Sequence, residues 1–273
     1  MWTVRHMEYF WRMDTALVGK HALVCGASQG IGLAVAREFA ALGARVTLLA
    51  RDARRLSEAL KELPPVEGGG HDTLAVDMTR TDALDDAMRK LVSRSPIDIL
   101  VNNTGGPPPG LAHEAEPAAF EDAFRLHLIS YQTLVRAVVP GMKERHNGRI
   151  INVISTSVKQ PLPNLGVSNT IRGAVANWSK TLATELGPYG ITVNNVLPGA
   201  TATGRLDAII RNKAARTGTE EKATAQEMLH EIPLGRFAEP AEVAYAVAFL
   251  AGPSGAYVNG INLPVDGGRT ACL

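Results

Sequence analysis

Apolar positions along this chain fall in short runs separated by stretches of helix length. The runs His21–Cys25, Arg45–Ala50, Thr73–Val76, Ile97–Val101, Arg149–Ile154, Ile191–Leu197 and Ile261–Val265 are rich in Val, Ile and Leu without strict alternation, the pattern of strands covered on both faces. Between them, Ile31–Leu42, Asp82–Ser93, Phe120–Glu144, Arg172–Leu186 and Glu239–Ala251 read as helices. Such alternation predicts an α/β fold with one doubly wound parallel sheet and right-handed crossovers. No repeat or linker divides the chain, so residues 15–273 read as a single domain behind an N-terminal extension, 1–14. Met13, just before the patterned region, suggests a leader or an alternative start. The polar, helix-prone stretch Glu220–His230 reads as part of a helical substrate lid near 200–235, since such folds place insertions of this kind at the carboxyl ends of the strands.

Composition narrows the function classes. The 273 residues are 45% hydrophobic and 20% charged, which excludes a disordered chain. Lys+Arg is 28 against Asp+Glu 27, a formal net charge of +1, so nothing draws the protein to nucleic acid or to an anionic membrane. No apolar run approaches the roughly 18–20 residues of a membrane span. Cys25 and Cys272 are the only cysteines; they form no disulfide framework and fit a reducing compartment. The first dozen residues lack the apolar stretch of a secretory signal, and a cytoplasmic location is expected. His21, His71 and His113 show no ligand spacing with carboxylates or cysteines, so no metal is expected.

The stretch Leu23-Val24-Cys25-Gly26-Ala27-Ser28-Gln29-Gly30-Ile31-Gly32 runs from a strand into a helix. Glycines there let the backbone approach a pyrophosphate, whose charge faces the helix N-terminus. The nucleotide contacts expected from it are Gly26, Ser28, Gln29, Gly30, Ile31 and Gly32. Further on, the second strand ends at Ala50 and Arg51, with Arg54 and Arg55 behind. An arginine fork suits a 2′-phosphate, which favours NADP. Asp52, near the distance at which an acid holds a ribose, keeps NAD open. The bland alternative makes these arginines a solvated helix start.

With these residues laid out, 17–268 resembles the short-chain dehydrogenase/reductase family, whose fold is of the Rossmann type. Gly26-x3-Gly30-x-Gly32 is similar to its glycine motif, with Cys25 where a threonine is usual. Asn102-Asn103-Thr104-Gly105 resembles its Asn-Asn-Ala-Gly segment, Pro198-Gly199 with Thr201 and Thr203 the segment against the nicotinamide, and Asp266-Gly267-Gly268 a C-terminal motif. Asp77, with Met78 beside it, matches the position that contacts adenine in the family. The resemblance therefore implies cofactor contacts at Ala50, Arg51, Asp77, Met78, Asn103, Thr104, Gly105, Arg172, Pro198, Gly199 and Thr201, and a homo-oligomer, dimer or tetramer.

The catalytic pattern departs from the family. Ser155 matches its serine, but Ser168 stands at the tyrosine position and Arg172 at the lysine position, giving Ser-x-x-x-Arg for Tyr-x-x-x-Lys. His127 maps onto the family's active-site asparagine. A serine hydroxyl is a poorer and shorter acid than a phenol, and arginine stays protonated. The candidate catalytic groups are Ser155, Ser168, Arg172, Lys159 and His127, the histidine expected to titrate near neutral pH and feed a water chain. Structural or solvated roles are the alternatives for His127 and Lys159. Chains with this pattern look like a divergent subset described as 3-oxoacyl-carrier-protein reductase-like or gluconate-dehydrogenase-like. Function is expected to be NADP-dependent hydride transfer between a small-molecule carbonyl and its alcohol. A non-catalytic nucleotide-binding module, or a lyase or dehydratase using the same pocket, are the alternatives. The lid charges balance, leaving the substrate's charge open.

Overall fold

All five residues of the first strand, β1 (His21–Cys25), are buried. Their side chains point alternately to the two faces of the sheet: Ala22 and Val24 enter one apolar core, Leu23 and Cys25 the other. Burial on both sides removes the alternation of polar and apolar residues seen in a half-exposed strand. The computed structural model describes residues 13–67 and 69–272. The foreseen extension lies outside these except at its end, where Asp14 N–H donates to Ser254 Oγ at 2.7 Å.

Six more strands follow: β2 (Arg45–Ala50), β3 (Asp72–Ala75), β4 (Ile99–Asn103), β5 (Gly148–Val153), β6 (Ile191–Pro198) and β7 (Asn262–Val265). All pair in parallel, in the order β3-β2-β1-β4-β5-β6-β7. The helices are α1 (Gly30–Ala41), α2 (Ala53–Leu60), α3 (Thr81–Arg94), α4 (Pro117–Phe124), α5 (Ser130–Glu144), α6 (Gly166–Leu186), α7 (Gly204–Thr217), α8 (Glu221–His230) and α9 (Pro240–Ala251). α1, α2 and α9 cover one face, with Val35, Phe39, Leu56 and Val247 in the core. α3, α5 and α6 cover the other through Leu84, Met88, Leu134 and Val175. Each such side chain contributes roughly 1.5–3 kcal/mol on burial. The strand order reverses direction between β1 and β4, and the crevice beyond their carboxyl ends is where a ligand fits such a sheet.

A row of asparagines crosses that half of the sheet. Asn102 Nδ2 donates to Asn152 Oδ1 at 2.7 Å, Asn152 to Asn195 Oδ1 at 3.0 Å, and Asn195 to Asn262 Oδ1 at 2.8 Å. These residues are in register across β4, β5, β6 and β7. A slip of one residue in any strand would turn an amide to the other face and leave buried polar groups unpaired. The row thus fixes the strand ends that carry the site.

Several expected boundaries move. The ladder of β4 runs to Asn103, which pairs with Val153, so the two asparagines belong to the strand and not to the loop after it. Phe120–Glu144 is not one regular helix: a π turn over Arg125–Ile129 separates α4 from α5, and Pro117 at the first turn starts α4 earlier. α6 begins at Gly166, six residues before Arg172. Val167 and Ile171 bury against Ala123 there, and Asn169 Nδ2 holds the Leu162 carbonyl at 2.9 Å. Tertiary packing thus extends a helix that Gly166 and Asn169 disfavour locally. The insertion holds two helices, α7 and α8, joined by Leu206, Ile210 and Met228 in a small core of their own. Among the described residues, no helix is long and apolar enough to cross a membrane.

Candidate active site

The turn after β1 is built by close approach. Gly26 and Gly30 both have φ +59, the left-handed region that suits glycine. A Cβ at Gly32 would stand 2.2 Å from the Gly26 carbonyl oxygen. Asn103, at the end of β4, donates through Nδ2 to the carbonyls of Cys25 at 3.2 Å and Gly26 at 3.4 Å. Its side chain therefore shapes the loop. At the N-terminus of α1, Gln29 makes no side-chain cap and the first turn holds no acid, leaving backbone N–H groups for an anion. Ser28 and Ile31 are partly exposed on the same turn. This cradle fits a diphosphate. Cys25 is buried, and burial pushes its thiol up to about 12, so it is a packing residue.

At the end of β2 the arginines divide. Asp52 caps α2, accepting from Arg55 N–H at 3.1 Å, a bond that lowers its carboxyl pKa. The acid expected to compete for a ribose is thus spent on the helix. Arg55 sits 3.6 Å from Asp52 Oδ2 and reaches Gln29 Oε1 at 3.3 Å, and Arg54 pairs with Glu58 at 4.0 Å. For those two the solvated-helix reading describes the contacts. Arg51, beside the partly buried Ala50, is exposed and has no ion pair among the described residues. Asp77 accepts from Thr79 N–H at 2.9 Å and Thr79 Oγ1 at 2.7 Å. Those bonds, and the charge of Arg51, keep its carboxyl below the ordinary range. Met78 is 7% exposed and packs in the second core.

The far wall comes from β6 and β7. Gly199 lies so close to Asp266 that a Cβ would meet Asp266 Cβ at 2.7 Å. Asp266 is held by Gly268 N–H at 3.0 Å and Thr270 N–H at 2.8 Å. Beyond Pro198, Thr201 is buried and donates to the Gly199 carbonyl at 3.1 Å.

Ser155 follows β5 and accepts from Ser157 N–H at 3.1 Å, which leaves its own O–H to donate. Ser168 is partly exposed in the first turn of α6, one turn before Arg172. Lys159 lies just after the 3-10 turn Thr156–Val158. The C-terminal residues fold over it, with Cys272 Sγ donating to its carbonyl at 3.5 Å. Arg172 is buried, donating to the Val153 carbonyl at 3.3 Å and the Thr104 carbonyl at 3.5 Å. It joins the ends of β4 and β5, and its Nε has no partner. Gly105, next to Thr104, is exposed at the mouth.

His127 is fully buried in the π turn. Its Nδ1 is 2.7 Å from Thr104 Oγ1, which is also 2.9 Å from the Tyr131 hydroxyl. The Arg172 charge acts on the Tyr131 phenol in turn. Burial, and secondarily the Arg172 charge, pushes His127 down to about 2. This corrects the expectation of titration near neutral pH: the imidazole stays neutral, because its pocket offers a cation and no carboxylate. Burial likewise pushes the Tyr131 phenol above its ordinary pKa.

Two residues escaped sequence reasoning. Tyr131 lies four positions after His127, so the i, i+4 rule puts both on one helix face; that signal was present. Arg205, in the first turn of α7, donates to the Pro107 carbonyl at 2.8 Å across the cleft. No linear pattern marks it.

Residues 26–270 match the protein family described as Enoyl-(Acyl carrier protein) reductase. The 3-oxoacyl-(acyl-carrier-protein) reductase FabG of Vibrio cholerae serotype O1 is 35% identical over 255 residues, covering 92% of this chain and 98% of that protein. L-xylulose reductase of Mesocricetus auratus is 34% identical over 257 residues, covering 94% and 98%. The structure of L-sorbose reductase from Gluconobacter frateurii complexed with NADPH and L-sorbose is similar with a TM-score of 0.89 at 34% identity, covering 96% of this chain and 100% of that one.

Proposed function

Because this chain belongs to the short-chain dehydrogenase/reductase family, we propose that its own residues His127, Thr104, Tyr131 and Arg172 do the proton work that a tyrosine and a lysine do elsewhere in it. The chain is an oxidoreductase that interconverts a carbonyl and an alcohol by hydride transfer, with NADP as cofactor. Bound NADPH supplies the hydride. In this reading the uncapped N-terminus of α1 holds the diphosphate, Arg51 the 2′-phosphate and Asp77 the adenine. Asn103, Thr104, Gly105, Pro198, Gly199 and Thr201 line the remainder.

Reduction leaves negative charge on the substrate oxygen. Ser155, its lone pair already engaged by Ser157 N–H, donates a hydrogen bond to that oxygen and keeps its proton, with Ser168 beside it and the Arg172 charge behind. The observation that carries the proton path is a count. The Tyr131 and Thr104 O–H groups and the ring N–H of neutral His127 bring three hydrogens to two contacts. With the Arg172 charge acting on the Tyr131 oxygen, Tyr131 donates to Thr104 and Thr104 to Nδ1, and the hydrogen left over is on His127 Nε2, an atom with no hydrogen-bond partner among the described residues. It passes to the substrate oxygen through a water, and Thr104 and Tyr131 replace it in sequence. Arg172 then stands beside the phenol that has given up its proton. Lys159 is the second group from which the water is resupplied.

Self-association through the outer face of α4 and the π turn after it belongs to the same reading. Its support is Phe124 and Ile129, 39% and 38% exposed along one groove. A cytoplasmic site of action goes with it.

The test is NADPH oxidation against a panel of ketones, aldehydes and 3-oxo esters with wild type and Ser155→Ala. Loss of an oxyanion donor lowers kcat by about a hundredfold or more; unchanged rates in the variant overturn the reading. Tight NADPH binding without hydride transfer to any carbonyl would make the chain a nucleotide-binding module instead.

A further inference from the structure

Two guanidinium groups meet at Gly106, and among the described residues neither has an acid. A Cβ built on Gly106 would stand 3.4 Å from Arg205 Nη2 and 3.7 Å from Arg172 Nη2. Arg172 is 5% exposed and donates to two backbone carbonyls; its Nε has no partner among the described residues. Among the described residues it forms no ion pair, and the charged or titratable groups that act on it are Tyr131 and Arg205, with no carboxylate among them. Arg205 has a single bond, to the Pro107 carbonyl.

Three other lid charges are engaged elsewhere: Lys213 pairs with Glu227 at 3.1 Å, and Glu231 pairs with Arg269. Asp207 is two residues from Arg205 and so on another side of α7. Balanced composition therefore hides an unbalanced position. Arg172, a buried guanidinium without a counter-charge, is costly, and with the exposed Arg205 converging on it the pair calls for an anion. The cofactor's own phosphates are assigned above to α1 and Arg51, whereas this pair donates at Thr104, Val153 and Pro107, past the ends of β4 and β5. The anion therefore belongs to the substrate.

We propose that the site takes a carbonyl compound bearing an anionic group, carboxylate or phosphate, clasped between Arg172 and Arg205 at Gly106. The inference rests on the oxidoreductase reading above and names its substrate class. Planar forks of N–H donors match both oxyanions. Arg205, on the lid, closes on the anion, and Arg172 ties it to the strand ends where the serines and His127 stand.

Matched substrates test this: acetoacetate against ethyl acetoacetate, and dihydroxyacetone phosphate against dihydroxyacetone. The wild type is expected to favour the charged member of at least one pair in kcat/KM by about tenfold or more, the effect of a charge-assisted contact. Which pair responds distinguishes carboxylate from phosphate. Arg205→Ala collapses that ratio, whereas Arg211→Ala, which removes the same charge from the same helix, keeps it. Equal use of both members, or equal loss in both variants, overturns the proposal. Malonate and inorganic phosphate are titrated in parallel, with and without NADPH, following Tm. Stabilisation of the wild type that is lost in Arg205→Ala supports the anion site even where no carbonyl is turned over, an outcome that removes the activity reading alone. Identical shifts in both proteins, or none, count against the anion site.

Discussion

Thr104 Oγ1 lies 2.7 Å from His127 Nδ1, a bond between the end of the central strand β4 and the π turn that interrupts the helix beside it. Both members depart from the pattern the family resemblance led us to expect, alanine in one position and asparagine in the other. The same hydroxyl touches Tyr131 at 2.9 Å, and the charge of Arg172 acts on that buried phenol. Arg172, which the resemblance sets at a lysine position, is thus tied to Thr104 by its carbonyl and to Tyr131 by charge.

Thr104→Ala cuts this connection while leaving the backbone carbonyl that Arg172 uses. Turnover should fall by about a hundredfold, the usual scale of a general acid's contribution, with NADPH affinity changed less than about threefold. Pre-steady-state NADPH oxidation and a fluorescence titration measure the two. Unaltered turnover would remove Thr104 and Tyr131 from the proton path.

The buried imidazole makes stability depend on pH in one direction. In the unfolded chain His127 binds a proton below its ordinary value of 6.5, whereas in the fold it stays neutral down to about 2. Between these values the unfolded state carries the extra proton, so acid destabilises the fold, by up to about 1.4 kcal/mol per pH unit from this group. Above 6.5 the contribution is constant. His127→Asn should show a shallower loss of stability on acidification than wild type. Urea unfolding of both at two acidic pH values reads the difference. His21, whose pKa burial also lowers, is common to both and cancels.

The β-strands and the main helices could be read from the chain because each is a local pattern. β1 and β2 fall where the apolar runs put them, and strands buried on both faces leave dense Val and Leu runs. The π turn could not be read, since Arg125–Ile129 differs from its neighbours in one hydrogen-bond step and not in composition. The asparagine row escaped too: Asn152, Asn195 and Asn262 acquire meaning only once strands distant in sequence are side by side. In the site, the glycine loop was visible because its chemistry lies within ten consecutive residues. The meeting of Arg172 and Arg205 depends on a lid folding back over β4, a contact no spacing encodes.

Arg51→Ala should separate the two nicotinamide cofactors. Arg51 is exposed at the end of β2 while Asp52 is committed to capping α2, so the charge near the adenosine ribose is positive. Loss of that charge weakens NADPH by about tenfold or more and leaves NADH within about twofold. Equal weakening of both would assign Arg51 to the fold of the loop and not to the 2′-phosphate.

Gly32→Ala tests the glycine cradle most severely, because its two obstacles differ in kind. The new Cβ would stand 2.2 Å from the Gly26 carbonyl oxygen and 2.8 Å from Asn103 Nδ2. The amide is a side chain and can swing away. The carbonyl belongs to a residue at φ +59 that is itself pressed against the Asn103 carbonyl, 2.7 Å from where its own Cβ would be. Backbone packed this way has little room to give, and overpacking of this order costs about 3 kcal/mol. Gly32→Ala is therefore expected to lower Tm and to abolish NADPH binding, and adding Asn103→Ala should not restore either. Rescue by the second change would mean that the amide, and not the turn of the backbone, sets the space available to the diphosphate. Tm and NADPH titration of the single and double variants decide between the two.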